Sequence, residues 1–233
     1  MLQELPDLTE KEQWCVLEGQ EQRDYEDAVI SGNFMAIRQV SWQVDDLKHS
    51  SKAQRLLELC EQARDQKRKV IVFSFFRSTL QKVVTLLGDR CMEPITGSIS
   101  PQRRQEIVDE FAKAPDGAVL VSQVQAGGTG LNIQSASVII FCEPQIKPSI
   151  ENQAISRAYR MGQVRDVLVY RLLADETIDE RIMEILKTKQ NLFDNFAEES
   201  VVGTESLKPS ETAWIADLVA AEQKRLQEAG RMQ

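Results

Sequence analysis

Arg157 and Arg160, three residues apart, are the side chains in this sequence best suited to chemistry on a phosphate group. Gln153 and Gln163 flank them, and the local pattern predicts the start of a helix, on which residues three apart share one face. An arginine stays charged and offers a planar set of donors that fits phosphate oxygens. A pair held in this way suits the charge that develops on a transferring phosphoryl group. The same spacing in isolation is also typical of an exposed helix with two solvated arginines.

Two glycine-containing segments precede the arginine pair and offer a second kind of phosphate contact. Residues 126–132 read AGGTGLN and follow the apolar run of residues 118–121. Glycines let a backbone turn tightly and bring its N–H groups close to an anion, although an ordinary tight turn uses the same residues. Gly97 follows a predicted strand and is itself followed by Arg103 and Arg104. This second segment is either a phosphate contact or a strand–turn–helix junction with two exposed arginines.

Three motifs in a fixed order resemble a known family. Residues 69–76 (KVIVFSFF) resemble motif IV, residues 126–132 resemble motif V, and residues 153–163 (QAISRAYRMGQ) resemble motif VI of the second RecA-like lobe of a Swi/Snf-type ATPase in helicase superfamily two. The resemblance covers about residues 50–190, and the ending Gly162-Gln163 separates this family from other helicases. Ile146 stands where the family usually has tryptophan, which favours a bacterial or phage member.

The resemblance implies a second motor lobe of a DNA-dependent ATPase that translocates on double-stranded DNA. It implies arginine fingers at Arg157 and Arg160. It implies nucleotide binding or coupling by the following residues: Gln153, Gly128, Gly130, Asn132 and Gln163. It implies contacts with the DNA backbone by a further set: Ser74, Gly97, Arg103, Arg104 and Gly127. No metal ligand is predicted in this chain.

The sequence lacks the other half of such an active site. It has no Gly-Lys dipeptide and therefore no P-loop, and no acidic pair after a convincing Walker B strand. In the family, the first RecA-like lobe of the same polypeptide supplies these groups and makes most of the contacts with ATP and Mg²⁺. We therefore expect a fragment of a longer protein that hydrolyses no ATP alone. A non-catalytic RecA-like module that binds protein or DNA is the alternative, and the Gly162-Gln163 ending disfavours a strand-separating helicase.

Composition is ordinary, but the charge is unevenly distributed. The chain has 233 residues, a net charge of −8 and 42% hydrophobic residues. Residues 64–104 carry nine basic and three acidic side chains between acidic ends, which favours phosphate binding in the centre. The four cysteines have no CxxC spacing and there is one histidine, which disfavours a metal site. Without a signal peptide or membrane span, we expect a cytoplasmic protein, associated with the nucleoid if bacterial.

Alternating strand and helix patterns predict the elements that position these residues. The fold class is α/β, a RecA-like parallel sheet with helices on both faces plus a C-terminal helical extension. Strands are predicted at residues 12–17, 70–73, 92–96, 118–121, 138–141 and 167–172, and helices at 20–43, 52–65, 79–87, 101–113, 179–196 and 211–229. Ser51 is the predicted cap of the second helix. Ligand groups should gather beyond the carboxyl ends of the strands.

The chain divides into three predicted parts. Residues 1–50 are a mostly helical connector from the missing first lobe, residues 51–175 are the helicase C-terminal lobe, and residues 176–233 hold a closing helix, a linker and an amphipathic C-terminal helix. Trp214 on this last helix predicts docking onto the domain, with a protein partner at the helix as the alternative.

Overall fold

A parallel sheet forms the centre of the molecule. The computed structural model describes residues 5–126, 131–198 and 211–231, with side chains except those of 189–198 and 211–212. In this part of the chain five parallel strands pair in the order β1-β5-β4-β2-β3. The strands are β1 (Leu8–Cys15), β2 (Lys69–Ser74), β3 (Val119–Gln123), β4 (Ala136–Phe141) and β5 (Val167–Ala174). The predicted α/β fold class is confirmed.

Two predicted strands differ from those observed. The strand predicted at residues 12–17 is Leu8–Cys15, and it joins the edge of the sheet by pairing with β5 from Leu8–Val167 to Cys15–Ala174. The strand predicted at residues 92–96 is wrong, since only two isolated bridges join Cys91 to Val119 and Ile95 to Ser122. Pro94 lies between them and has no N–H to donate to a ladder, so pairing cannot run continuously there.

The helices follow the predicted pattern with local changes. Their bounds are α1 (Gly19–Ser31), α2 (Phe34–Ile37), α3 (Val40–Gln43), α4 (Ser51–Asp65), α5 (Arg77–Leu87), α6 (Pro101–Lys113), α7 (Pro148–Ile155), α8 (Ile178–Glu198) and α9 (Glu211–Glu228). The helix predicted at residues 20–43 is divided at Gly32, where the Gly-Asn pair of the sequence allows a break, because Gly32 takes a left-handed φ of 69° and ends α1. The predicted cap of α4 is wrong by one residue: the Ser50 hydroxyl accepts the Ala53 N–H at 3.0 Å.

Helices cover both faces of the sheet. Helices α6 and α7 pack on the face that carries Phe73 and Phe141, whereas α4 and α5 pack on the face that carries Val72 and Ile140. Trp42 of α3 is fully buried on this second face. Because strand side chains alternate between faces, both sides of each central strand are apolar, as a sheet covered on both faces requires.

A third apolar cluster joins the connector helices to the C-terminal helices. Leu218 and Leu226 of α9 are buried against α1, α2 and α8. Tyr25 of α1 donates from its hydroxyl to the buried Glu222 carboxylate at 2.6 Å. The predicted docking of the last helix is therefore confirmed, while a protein partner there stays a prediction. Within the described ranges, no helix is long and apolar enough to cross a membrane.

Candidate active site at the arginine turn

The two predicted arginines lie in a turn, not on a helix. Helix α7 ends at Ile155, and residues 156–163, here called the arginine turn, continue as successive turns and bends. The Arg157 carbonyl accepts the Ile133 N–H at 2.8 Å and therefore makes no helical hydrogen bond. Gly162, near the end of the turn, has a left-handed φ of +97°. The predicted helical placement is therefore wrong, because a contact with a distant segment replaces the next helical hydrogen bonds.

Arg157 lies half inside the protein at the carboxyl ends of two strands. Its Nη2 donates to the Val124 carbonyl at 3.2 Å, and its guanidinium carbon lies 5.7 Å from the centre of the Phe73 ring. Its Nη1 is buried and has no hydrogen-bond partner among the described residues. Burial lowers the pKa of Arg157, yet a guanidinium remains charged under ordinary conditions. The side chain is thus fixed at one nitrogen and leaves donor capacity at the other.

Arg160 has the opposite environment. Its side chain is exposed and makes no hydrogen bond or ion pair with any described residue. Its backbone carbonyl accepts the Gln163 N–H at 3.0 Å, which closes the turn beneath it. An exposed, unpartnered guanidinium on a closed turn can bind an anionic group without first breaking an internal contact.

Gln163 holds the arginine turn against the sheet. Its buried side-chain nitrogen lies 3.0 Å from each of the carbonyl oxygens of Gln134, Ala136 and Ala158. Its side-chain oxygen accepts the Val164 and Arg165 N–H groups, both at 3.0 Å. These contacts give Gln163 a structural role in the turn, and its predicted part in nucleotide coupling stays a prediction.

The other predicted coupling residues within the described ranges are Gln153 and Asn132. Gln153 is exposed on α7, and Asn132 is exposed with its side-chain nitrogen 3.0 Å from the side-chain oxygen of Gln134. Gly127, Gly128 and Gly130 lie outside the described residues. No group of three or more histidine, cysteine, aspartate or glutamate side chains in the described ranges is placed to hold a metal.

The predicted DNA-binding residues are not equivalent. Ser74 is fully buried and donates to the Glu143 carboxylate at 2.9 Å, so its hydroxyl faces the protein interior, and its predicted contact with DNA stays a prediction. Gly97 is exposed, and its carbonyl accepts from Arg104 Nη2 at 3.1 Å. Arg103 binds three carboxylates at distances of 2.7–3.2 Å: those of Glu93, Glu106 and Glu110. These carboxylates more than neutralise the charge of Arg103.

A buried polar network, not predicted from the sequence, braces the carboxyl ends of β2 and β4. The Glu143 carboxylate accepts the Phe75 N–H at 2.7 Å, besides the Ser74 hydroxyl, and burial raises its pKa. Arg38, which directly follows the short connector helix α2, flanks it, donating to the Pro144 carbonyl at 2.8 Å and lying 5.1 Å from the centre of the Phe76 ring. An acidic residue two positions after a buried strand is the sequence signal that could have revealed this network.

Comparison with known proteins agrees with this geometry. Residues 51–162 match the family model for the helicase conserved C-terminal domain. The chain is 34% identical over 167 residues to an ATP-dependent helicase of Mycoplasma pneumoniae, covering 71% of this chain and 16% of that protein. It is 30% identical over 203 residues to the SNF2 domain-containing protein ENL1 of Oryza sativa, covering 80% and 20%. The chain therefore spans about a sixth to a fifth of the length of these relatives.

Solved structures share the fold over almost the whole chain. The C-terminal part of the Fun30 ATPase domain superposes with a TM-score of 0.77 at 17% identity, covering 97% of this chain and 99% of that one. The Sulfolobus solfataricus SWI2/SNF2 ATPase core in complex with double-stranded DNA gives 0.71 at 23% identity, covering 94% and 50%. The order of the motifs, the parallel sheet and these likenesses agree: residues 51–162 belong to the helicase conserved C-terminal domain family, and the chain has the fold of the C-terminal RecA-like lobe of Swi/Snf-type ATPases.

Proposed function

We propose that this chain is the second motor lobe of an ATPase that translocates on double-stranded DNA, and that Arg157 and Arg160 are its arginine fingers. The observation that carries the proposal is the pairing of an exposed, unpartnered Arg160 with a fixed Arg157 that keeps a buried donor free. Such a pair stabilises the negative charge on a transferring phosphoryl group without reorganising at the moment of reaction.

In the proposed motor, both RecA-like lobes contact the nucleotide. ATP and Mg²⁺ are held mainly by the first RecA-like lobe of the same polypeptide, whose P-loop and acidic pair this chain lacks. Arg160 reaches across the cleft between the lobes to the γ-phosphate, and Arg157 supports it from the side of the sheet. The chain alone therefore binds no nucleotide tightly and hydrolyses none.

The DNA backbone is bound by the segments that follow the carboxyl ends of the strands. The proposed contacts are Gly97, Arg104 and the loop that contains Gly127, with Gly128, Gly130 and Asn132 coupling that loop to the nucleotide. Arg103 contributes little, because its three carboxylate partners cancel its attraction for phosphate. Contacts of this kind carry no sequence information, which suits a motor that must bind every step of the duplex alike.

Hydrolysis of ATP by the complete two-lobe protein tests the proposal. With double-stranded DNA present, Arg160→Ala should lower kcat by about 10³–10⁵-fold, the range that arginine fingers supply in nucleotide hydrolases. Arg160→Lys should not restore the rate, since an ammonium cannot reproduce the planar donors. Arg23→Ala, at an exposed arginine of α1, is the matched control and should retain full activity.

Two results would contradict the proposal. Near-normal kcat in Arg160→Ala would remove the finger role and favour a non-catalytic module that kept the RecA-like fold. Robust hydrolysis by the isolated chain, abolished in the same variant, would show that the chain does not depend on a first lobe.

A further inference from the structure

The arginine turn is held by two glutamines, Gln134 and Gln163, each of which donates to backbone carbonyls of the segment that contains the other. Gln163 binds the Gln134 carbonyl at 3.0 Å through its side-chain nitrogen. In return, the side-chain nitrogen of Gln134 donates to the Met161 carbonyl and lies 3.3 Å from the Arg160 carbonyl. Gln134 therefore contacts the backbone directly at the proposed finger, from the segment that follows the glycine-rich loop.

The orientation of the Gln134 amide is fixed by its second partner. Asn132 donates from its side-chain nitrogen to the Gln134 side-chain oxygen at 3.0 Å, and its own oxygen accepts the Gln134 N–H at 3.3 Å. With the oxygen occupied in this way, the nitrogen of Gln134 must face the two carbonyls. A continuous chain of hydrogen bonds thus runs from Asn132 to Arg160.

Gly162 leaves room for this contact. Its φ of +97° is one that side-chain-bearing residues rarely adopt. A Cβ added at Gly162 would lie 3.0 Å from the Gln134 side-chain nitrogen, closer than nearly all Cβ contacts allow. The glycine therefore serves both the turn and the approach of Gln134.

We infer that Gln134 is a positioning residue for Arg160: it fixes the carbonyls of Arg160 and Met161 and so sets the direction in which the finger leaves the turn. The inference rests on the proposed function of Arg160. It explains how an exposed guanidinium without side-chain partners of its own is held ready for a phosphate. A misplacement of about 1 Å at a reacting group costs about a hundredfold in rate, so loss of this contact should act on catalysis more than on folding.

The test is a kinetic comparison in the complete two-lobe protein. Gln134→Met keeps the size of the side chain and removes its hydrogen bonds. It should lower kcat about 10–100-fold while KM for ATP changes less than about twofold, the pattern of an interaction that matters in the transition state. Gln62→Met, at an exposed glutamine of α4 on the opposite face of the sheet, is the matched control and should have no effect. The melting temperature of this chain should change by no more than about 2 °C in either variant.

A double-mutant cycle separates positioning from a general structural role. If Gln134 acts through Arg160, then Gln134→Met should add less than about twofold in an Arg160→Ala background, measured by single-turnover hydrolysis of radiolabelled ATP. A further loss of about tenfold or more in that background would overturn the inference. If Gln134→Met does not fold, Gln134→Glu keeps the acceptor that faces Asn132 and removes the donor, and it should show the same kinetic pattern.

Failure of this inference is distinguishable from failure of the proposed function. An inactive Arg160→Ala together with a fully active Gln134→Met would overturn the inference and leave the arginine finger intact. An active Arg160→Ala would overturn both.

Discussion

Replacing Lys52 with methionine should strongly destabilise this chain, because it would leave a buried carboxylate without its counter-charge. Lys52 Nζ lies 2.6 Å from Asp179 Oδ2, and the two side chains are 3% and 4% exposed. The pair joins α4, on one face of the sheet, to the first turn of α8. Asp179 also accepts the Ala174 N–H at 2.9 Å, so the same carboxylate connects the last residue of β5 to the first turn of α8.

The size of the effect follows from this burial. Removing one partner of a buried ion pair typically costs about 3–5 kcal/mol, since the remaining charge cannot recover its hydration. An exposed ion pair in the same chain provides the comparison: Lys224 and Glu228 on α9 lie 3.7 Å apart, and their side chains are 74% and 68% exposed. An exposed pair one helical turn apart contributes about 0.3–0.5 kcal/mol. Lys224→Met is therefore the matched control.

Urea unfolding of this chain, followed by circular dichroism, measures both variants. Lys52→Met should lower the free energy of unfolding by about 3–5 kcal/mol without changing the slope with urea, and Lys224→Met by less than about 0.5 kcal/mol. Lys52→Met combined with Asp179→Leu should recover part of the loss but not all, because the Ala174 N–H then has no acceptor. Similar losses in the two single variants would refute the argument from burial.

Two further results are expected, one from proton linkage and one from DNA binding. Burial raises the pKa of Glu143, despite the nearby Arg38 charge, above the ordinary value of 4.5 that the unfolded chain retains. The folded state therefore binds the proton more tightly, and the stability of the wild type relative to Glu143→Gln should fall as the pH rises above about 4.5; a difference in urea unfolding that stays constant with pH would contradict this. In a salt titration of DNA binding, Arg104→Ala should lower the log–log slope by about one, whereas Arg103→Ala should leave it unchanged. Equal changes in both would show that the carboxylates do not neutralise Arg103.

The sequence alone determined those features that depend on neighbours along the chain. The α6 bounds were predicted residue for residue, because Pro101 suits a first turn and the apolar residues Ile107, Val108 and Phe111 recur at helical spacing. The unbroken apolar run within β2 predicted a strand covered on both faces, and the alternation of such runs with helices predicted the parallel sheet. The arginine pair also stands out from the sequence by residue type and spacing, since arginine chemistry does not depend on the fold, and its role as a pair of fingers stays a proposal.

Tertiary structure alone decided what those residues face. The Ile133 N–H donates to the Arg157 carbonyl, so α7 does not continue through the arginine pair. Glutamates from the preceding loop and from α6 itself surround Arg103, and the buried Glu143 carboxylate accepts the Ser74 hydroxyl. In each case the partner comes from another segment or another turn of the chain. Local propensity predicts elements because their hydrogen bonds are local, but the partners of a side chain are set by which distant segments packing brings together.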